Sequence, residues 1–214
     1  WNPALPRSRG PDRLKAMDRN KIRAALGRRK VGIAGAGGLG SNCDVSLARA
    51  GVGSLAVADF DVVSQANLDR QAYFLRQVGM PKVLALAENI RLIDPSVRVE
   101  AKILRLDAAT IGEAFADCDL LIEALDDAAA KEELIETALA LWPRRQLVAA
   151  SGLAGIGNLR SLKVLRRGTL TLCGDFENEV SDSLPPFAPR VGVVANMEAD
   201  AALEILLAME DEAP

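Results

Sequence analysis

Glycine recurs at Gly35, Gly37 and Gly40 within AGAGGLGSN (residues 34–42), between the apolar run KVGI and the segment VSLARAG. A G-x-G-x-x-G turn from strand to helix lets backbone N–H groups and the positive helix end meet phosphate oxygens with no side chain in the way. With 17 glycines in the chain the same spacing also arises as a plain packing turn, so its weight depends on its neighbours. Asp59 closes the next apolar run, SLAVAD. A carboxylate there takes ribose hydroxyls and disfavours a 2'-phosphate; a helix-capping or surface Asp is the alternative. These features alone ask for a dinucleotide such as NAD, and hence for an NAD-dependent oxidoreductase.

The following residues ask for more charge than a dinucleotide needs. DFDVVSQANLDRQAYF (residues 59–74) crowds Asp61, Asn67, Arg70 and Gln71 into one connection, with Lys82 soon after in GMPK. Arg70 and Lys82 bring two fixed positive charges near the glycine turn, which a triphosphate uses; read plainly, they are solvated charges of a loop. Asp126 and Asp127 come directly after the buried run DLLIEAL. Paired acids at a strand end suit Mg2+, a hard ion that keeps waters and bridges phosphates, and they serve equally well as caps for a helix beginning near Ala128. The chain has no histidine, which removes Ser–His and Cys–His nucleophile pairs and the usual near-neutral proton shuttle, so its chemistry must need little acid–base help.

These residues have to be positioned by a regular frame. KVGIAG, SLAVAD, VRVEAKIL, DLLIEAL and QLVAAS read as buried strands, and SNCDVSLARAGV, PKVLALAENIRLIDP, AATIGEAFADC and KEELIETALALW as the helices between them. Such alternation predicts a Rossmann-like, doubly wound, mostly parallel α/β sheet with helices on both faces. After Ser151 the rhythm changes: NLRSLKVL and TLTLC pair as antiparallel strands, and VGVVANMEADAALEILLAM forms a closing helix. The first ten residues read as a flexible lead-in, and residues 11–214 as a single domain opened by an amphipathic helix from Pro11 with Leu14, Met17, Ile22 and Leu26 at helical spacing. A net charge of −3 without a basic face makes nucleic acid an unlikely partner. Cys43, Cys118 and Cys173 lie far apart with no C-x-x-C pair, so neither a zinc site nor a disulfide framework is indicated. With no secretory signal and no 18-residue apolar run, the expected setting is cytoplasmic and off the membrane.

Taken in order, GAGGLGSN, ADFDVVSQANLDRQ, GMPK, ALDD, SGLAG and APRVGVVANMEADAALEILL resemble the ubiquitin-activating-enzyme-like adenylyltransferases, the family of ThiF, MoeB and HesA, from about Lys30 to Met209. CGDFE and APRVGVVA tilt the likeness to the short ThiF form, which adenylates the sulfur carrier ThiS of thiamine thiazole synthesis. The resemblance implies that Gly35, Gly37, Gly38 and Gly40 line the phosphates of ATP and Asp59 takes the ribose. It further implies that Asp61, Asn67, Arg70, Gln71 and Lys82 belong to the nucleotide site, that Arg70, Lys82 and Asp126 are catalytic, and that Asp126 serves Mg2+. A homodimer and a Gly-Gly-tailed, ubiquitin-like sulfur carrier as partner are implied by the same resemblance. A tRNA-modifying cyclic threonylcarbamoyladenosine dehydratase shares this ATP site and is the alternative within the family.

The chain departs from the family pattern in three ways. The four zinc cysteines are missing, so no zinc is expected; no cysteine follows Cys173, so the loop after it lacks a thioester nucleophile. Cys173 itself reads as a buried strand-end residue rather than a reactive one. The R-Y-x-R-Q signature that brings an arginine to the partner subunit's ATP is absent, leaving Arg13, Arg19 or Arg23 as substitutes or as an ordinary charged helix face. Lys131 falls near a family arginine. The carrier tail is expected to run between SGLAGIGN and the loop CGDFENEVSDSLPPF, whose Asp175, Glu177, Glu179 and Asp182 either face a basic carrier or are simply solvated.

Overall fold

The computed structural model describes residues 17–209. Strands β1 (Lys30–Ala34), β2 (Ser54–Asp59), β3 (Arg98–Ile103), β4 (Leu120–Glu123), β5 (Gln146–Ala150), β6 (Lys163–Arg167) and β7 (Leu170–Gly174) form one sheet in the order β3-β2-β1-β4-β5-β7-β6. Every pairing is parallel except the β6–β7 hairpin, as the sequence rhythm predicts. The order reverses between β1 and β4, which opens a crevice beyond the carboxyl ends of those strands; ligands of open α/β sheets bind at such a point.

The two sheet faces follow from the period-2 alternation of apolar residues. Val31, Ile33, Leu55, Val57, Leu120 and Ile122 point to one side, where α1 (Arg19–Leu26), α2 (Gly38–Ala50), α3 (Lys82–Ile93) and α6 (Ala188–Ala208) pack. Ala34, Ala56, Ala58, Leu121 and Leu147 point to the other, against α4 (Ile111–Ala114) and α5 (Ala128–Leu141), with Phe115 fully buried. Each large side chain buried in this way contributes about 1.5–3 kcal/mol.

Several boundaries differ from the sequence expectation. Within NLRSLKVL, residues Leu159–Ser161 form a 3-10 turn and the strand starts only at Lys163. Among the described residues the first helix begins at Arg19, where the Asp18 carboxylate accepts the N–H groups of Asn20 and Lys21; the expected lead-in and the stretch 11–16 lie outside the described residues. The helix expected over 108–118 shrinks to Ile111–Ala114; its late start follows from Asp107 Oδ1, which takes the N–H of Ala109 and Thr110 in a local turn. The closing helix starts earlier, at Ala188, with Pro189 in its first turn, where a missing N–H costs nothing. No helix among the described residues is long and apolar enough to cross a membrane.

Candidate active site

Beyond β1 the chain turns through Gly35, whose φ of 99° is left-handed, into α2. A Cβ on Gly40 would lie 1.9 Å from the Gly35 carbonyl oxygen, so the helix approaches the turn as closely as backbone allows. Gly37 is the N-cap of α2 and offers no side-chain acceptor. The N–H groups of the first helical turn have no acceptor within the helix, and the positive end of the dipole faces the crevice.

The connection after β2 folds over this turn. Residues 65–69 make a short 3-10 turn ending at Arg70, and Ser64 N–H donates to Asn67 Oδ1 at 2.9 Å. Arg70 and Gln71 come against the glycines: a Cβ on Gly38 would lie 3.8 Å from Arg70 Cγ, and one on Gly37 would lie 3.9 Å from Gln71 Nε2. Gln71 Oε1 is buried and has no hydrogen-bond partner among the described residues. Arg70 is paired with its neighbour Asp69 at 2.7 Å. Asp59 accepts Ala36 N–H at Oδ2 and Asp61 N–H at Oδ1, both at 2.7 Å, so it is a fixed acceptor and neither a helix cap nor a loose surface acid. Lys82, buried at the start of α3, holds Asp61 at 2.7 Å.

On the other side of the crevice the two acids after β4 separate in role. Asp127 caps α5 by accepting Ala130 N–H at 2.8 Å, whereas Asp126 is exposed and makes no side-chain hydrogen bond among the described residues. Beneath them Glu123 is fully buried; it accepts Leu125 N–H and pairs with Lys131, whose ammonium also reaches the Ala150 carbonyl. Burial pushes the Glu123 carboxyl up, with Lys131 opposing.

Several residues with roles here lie within the quoted motifs without being marked by their type. Tyr73 O–H donates to Ala36 O at 2.7 Å, Ser41 Oγ to Gly37 O at 2.6 Å, and Asn42 Nδ2 to both Gly38 O and Arg70 O. Asp175 is buried and bonded to Arg190, which also donates to Gly157 O, so this acid does not face a partner. Burial opposes its charge, yet Asn178, the Glu177 N–H and Arg190 outweigh it and hold the carboxyl at about 2. Glu177, Glu179 and Asp182 are exposed. The segments expected to flank a carrier tail are bonded to each other, Ala154 N–H to Asn178 O and Gly155 N–H to Pro185 O. Cys173 is buried on β7, its thiol pushed up to about 12 by burial first and Glu198 second. Arg23 reaches Asp94 and Arg49 O at the amino edge of the sheet, opposite its own glycine turn; Arg19 is exposed on α1, and Arg13 lies outside the described residues.

An uncapped glycine turn, a basic connection and an acidic strand end thus meet at the reversal point of this open, mostly parallel α/β sheet. The ThiF family model matches residues 13–214, and the chain belongs to the ThiF family. It is 30% identical over 184 residues to the adenylyltransferase and sulfurtransferase UBA4 of Vanderwaltozyma polyspora, covering 83% of this chain and 42% of that protein. It is 29% identical over 189 residues to the sulfur carrier protein ThiS adenylyltransferase of Escherichia coli K12, covering 86% of this chain and 74% of that protein. Most of the first curated relatives are longer, so the chain spans less than half of their length. Among solved structures, the Escherichia coli tRNA N6-threonylcarbamoyladenosine dehydratase TcdA in complex with ATP superposes with a TM-score of 0.81 at 21% identity, over 91% of this chain and 92% of that one.

Proposed function

We propose that this chain is an ATP-dependent adenylyltransferase acting on the C-terminal glycine carboxylate of a ubiquitin-like sulfur carrier of the ThiS type, as in thiamine thiazole synthesis. The observation that carries the reading is the uncapped glycine turn with Arg70 and Gln71 laid against it. Relatives named as adenylyltransferases, one of them for ThiS, support the reaction class and the kind of partner.

The nucleophile, a terminal carboxylate, is already ionised near neutral pH. No general base is needed, which fits a chain without histidine. The carboxylate oxygen attacks the α-phosphorus of ATP, the bond to the bridging oxygen breaks, and pyrophosphate leaves with the electron pair. The barrier lies in bringing two anions together in line and in stabilising charge on the leaving group. In this reading the N–H groups of Gly37, Gly38 and Gly40, together with Arg70 and Lys82, hold the phosphates. Asp61 orients Lys82, Asp59 takes the ribose, and Asn67 and Gln71 complete the polar wall.

No group of three or more His, Cys, Asp or Glu side chains gathers to hold a metal among the described residues. One exposed carboxylate, Asp126, suits Mg2+, which is held through one or two carboxylates with phosphates and waters rather than in a protein cage. Bound there, the ion would neutralise phosphate charge.

A carrier tail entering between residues 152–157 and 175–187 must displace the bonds that join those segments. Exposed Phe74, Leu75 and Val78 beside the site are suited to the homodimer the family resemblance implies.

The test is ATP–pyrophosphate exchange with and without a small carrier ending in a free Gly-Gly. Carrier-dependent exchange is expected. Exchange that ignores the carrier but responds to modified tRNA would support the dehydratase reading instead, and hydride transfer to NAD without exchange would overturn the proposal.

A further inference from the structure

The glycine turn owes its shape to side chains that bind its backbone from outside. The peptides of the described residues are all trans, so the N–H and C=O of one peptide point in opposite directions. Fixing a carbonyl therefore aims the N–H of the next residue. Ala36 N–H is held by Asp59 and Ala36 C=O by Tyr73, each at 2.7 Å. The Gly37 carbonyl is held by Ser41 through both its hydroxyl, at 2.6 Å, and its N–H, at 3.0 Å. Three successive peptides are thus pinned, and the N–H groups of Gly37 and Gly38 point away from Tyr73 and Ser41.

Tyr73 is buried and sits three residues beyond Arg70. The same stretch is tied to α2 at two further points, Ala72 N–H to Ser41 Oγ and Asn42 Nδ2 to Arg70 O, and to α3 by Asn89 Nδ2 donating to Ala72 O. One set of bonds therefore fixes both the direction of the turn's N–H groups and the placement of Arg70. Burial, with the charges of Asp44 and Asp59, pushes the Tyr73 phenol up, so it remains a donor.

We propose that Tyr73 is a positioning residue for the phosphates: by holding the Ala36 carbonyl it aims the Gly37 N–H into the crevice and couples that direction to Arg70. The inference rests on the reading that this crevice binds ATP. Hydroxyl loss in Tyr73→Phe keeps the ring and leaves the Ala36 carbonyl without its donor, so the Ala36–Gly37 peptide is free to rotate.

The experiment measures the affinity of the full chain for Mg2+–ATP and for adenosine by calorimetry, in the wild type and in Tyr73→Phe, with thermal unfolding alongside. ATP affinity is expected to fall about tenfold, the scale of one hydrogen bond, while adenosine affinity stays within about twofold. A merely structural role would weaken both ligands alike or lower only the unfolding temperature, and either result overturns the proposal, as does unchanged ATP binding. Should Tyr73→Phe fail to fold, Asn42→Ala, which leaves Arg70 O without its donor, tests the coupling to Arg70: a phosphate-specific loss supports the proposal and unchanged binding overturns it. A wild-type chain that binds no ATP sinks the underlying reading itself, which is seen without any variant.

Discussion

Glu198 and Asp44 are fully buried on α6 and α2, and all four of their carboxylate oxygens lack a hydrogen-bond partner among the described residues. Burial pushes both carboxyls well above their ordinary range. Around Glu198, Glu123 on β4 adds to the rise and Lys131 on α5 opposes it, while Cys43 on α2 and Cys173 on β7 feel its charge. In the unfolded chain both acids ionise near their ordinary values, 3.8 for Asp44 and 4.5 for Glu198. Above those values the folded state binds more protons than the unfolded one, so stability falls as pH rises, until each folded pKa is passed. The slope is about 1.4 kcal/mol per pH unit for each acid while its folded form keeps the proton. Glu198→Gln removes one such contribution. Its unfolding free energy, from urea melts between pH 4 and 9, should match or fall below the wild type near pH 4, where the amide only adds donors to satisfy. Above about pH 5 it should then gain on the wild type by about 1.4 kcal/mol per pH unit, up to the pH at which the wild-type carboxyl ionises in the folded state. Two curves separated by a constant offset across the range would refute the account. Asp175, held at about 2, acts in the opposite sense and in a separate window: its stabilisation is lost only as pH falls below about 4.

Arg70→Ala and Asp126→Ala should each lower ATP–pyrophosphate exchange about a hundredfold, the cost of losing one charge-stabilising contact, roughly 2.7–4 kcal/mol; normal exchange in either folded variant would remove that residue from the site. Arg190→Ala leaves buried Asp175 without its cation and should cost about 3–5 kcal/mol in a urea melt, whereas a change below about 1 kcal/mol would mean that Asn178 and the loop amides suffice. Gly40→Ala places a methyl 1.9 Å from the Gly35 carbonyl oxygen and should cost about 1–3 kcal/mol, read as a lowered unfolding temperature. An unchanged temperature would show that the turn can open.

The frame was legible because buried strands and amphipathic helices impose different apolar periods, and SLAVAD is a strand over its whole length, Ser54–Asp59. Boundaries were less so. Asp107 is a short acid ahead of a helical run, and only its bonds to Ala109 and Thr110 show that the residues after it form a turn and that α4 starts at Ile111. Asp18 is likewise a short acid ahead of RNKIRAAL, and its bonds to the N–H groups of Asn20 and Lys21 show that the helix starts at Arg19 and not with the apolar spacing at Leu14. Glu198 was also within reach. It shares the stripe of Val191, Val194, Ala195, Ala199 and Ala202 along α6, so helical spacing alone places this acid on the buried face.

What sequence could not show was how the turn is held open. The charges of Arg70, Lys82 and Asp126 announce themselves by residue type, but Tyr73, Ser41 and Asn42 resemble ordinary core and helix residues until their acceptors are seen. Two of those acceptors, Ala36 O and Arg70 O, lie 37 and 28 residues away along the chain, and all of them are backbone carbonyls. A carbonyl has the same chemistry whatever residue carries it, so its direction is invisible in the residue alphabet. Chemistry that needs no histidine shifts the burden onto such directions: with a nucleophile already charged, rate depends on where N–H groups and cations point, and a phenol with no reactive role can then matter as much as a charge.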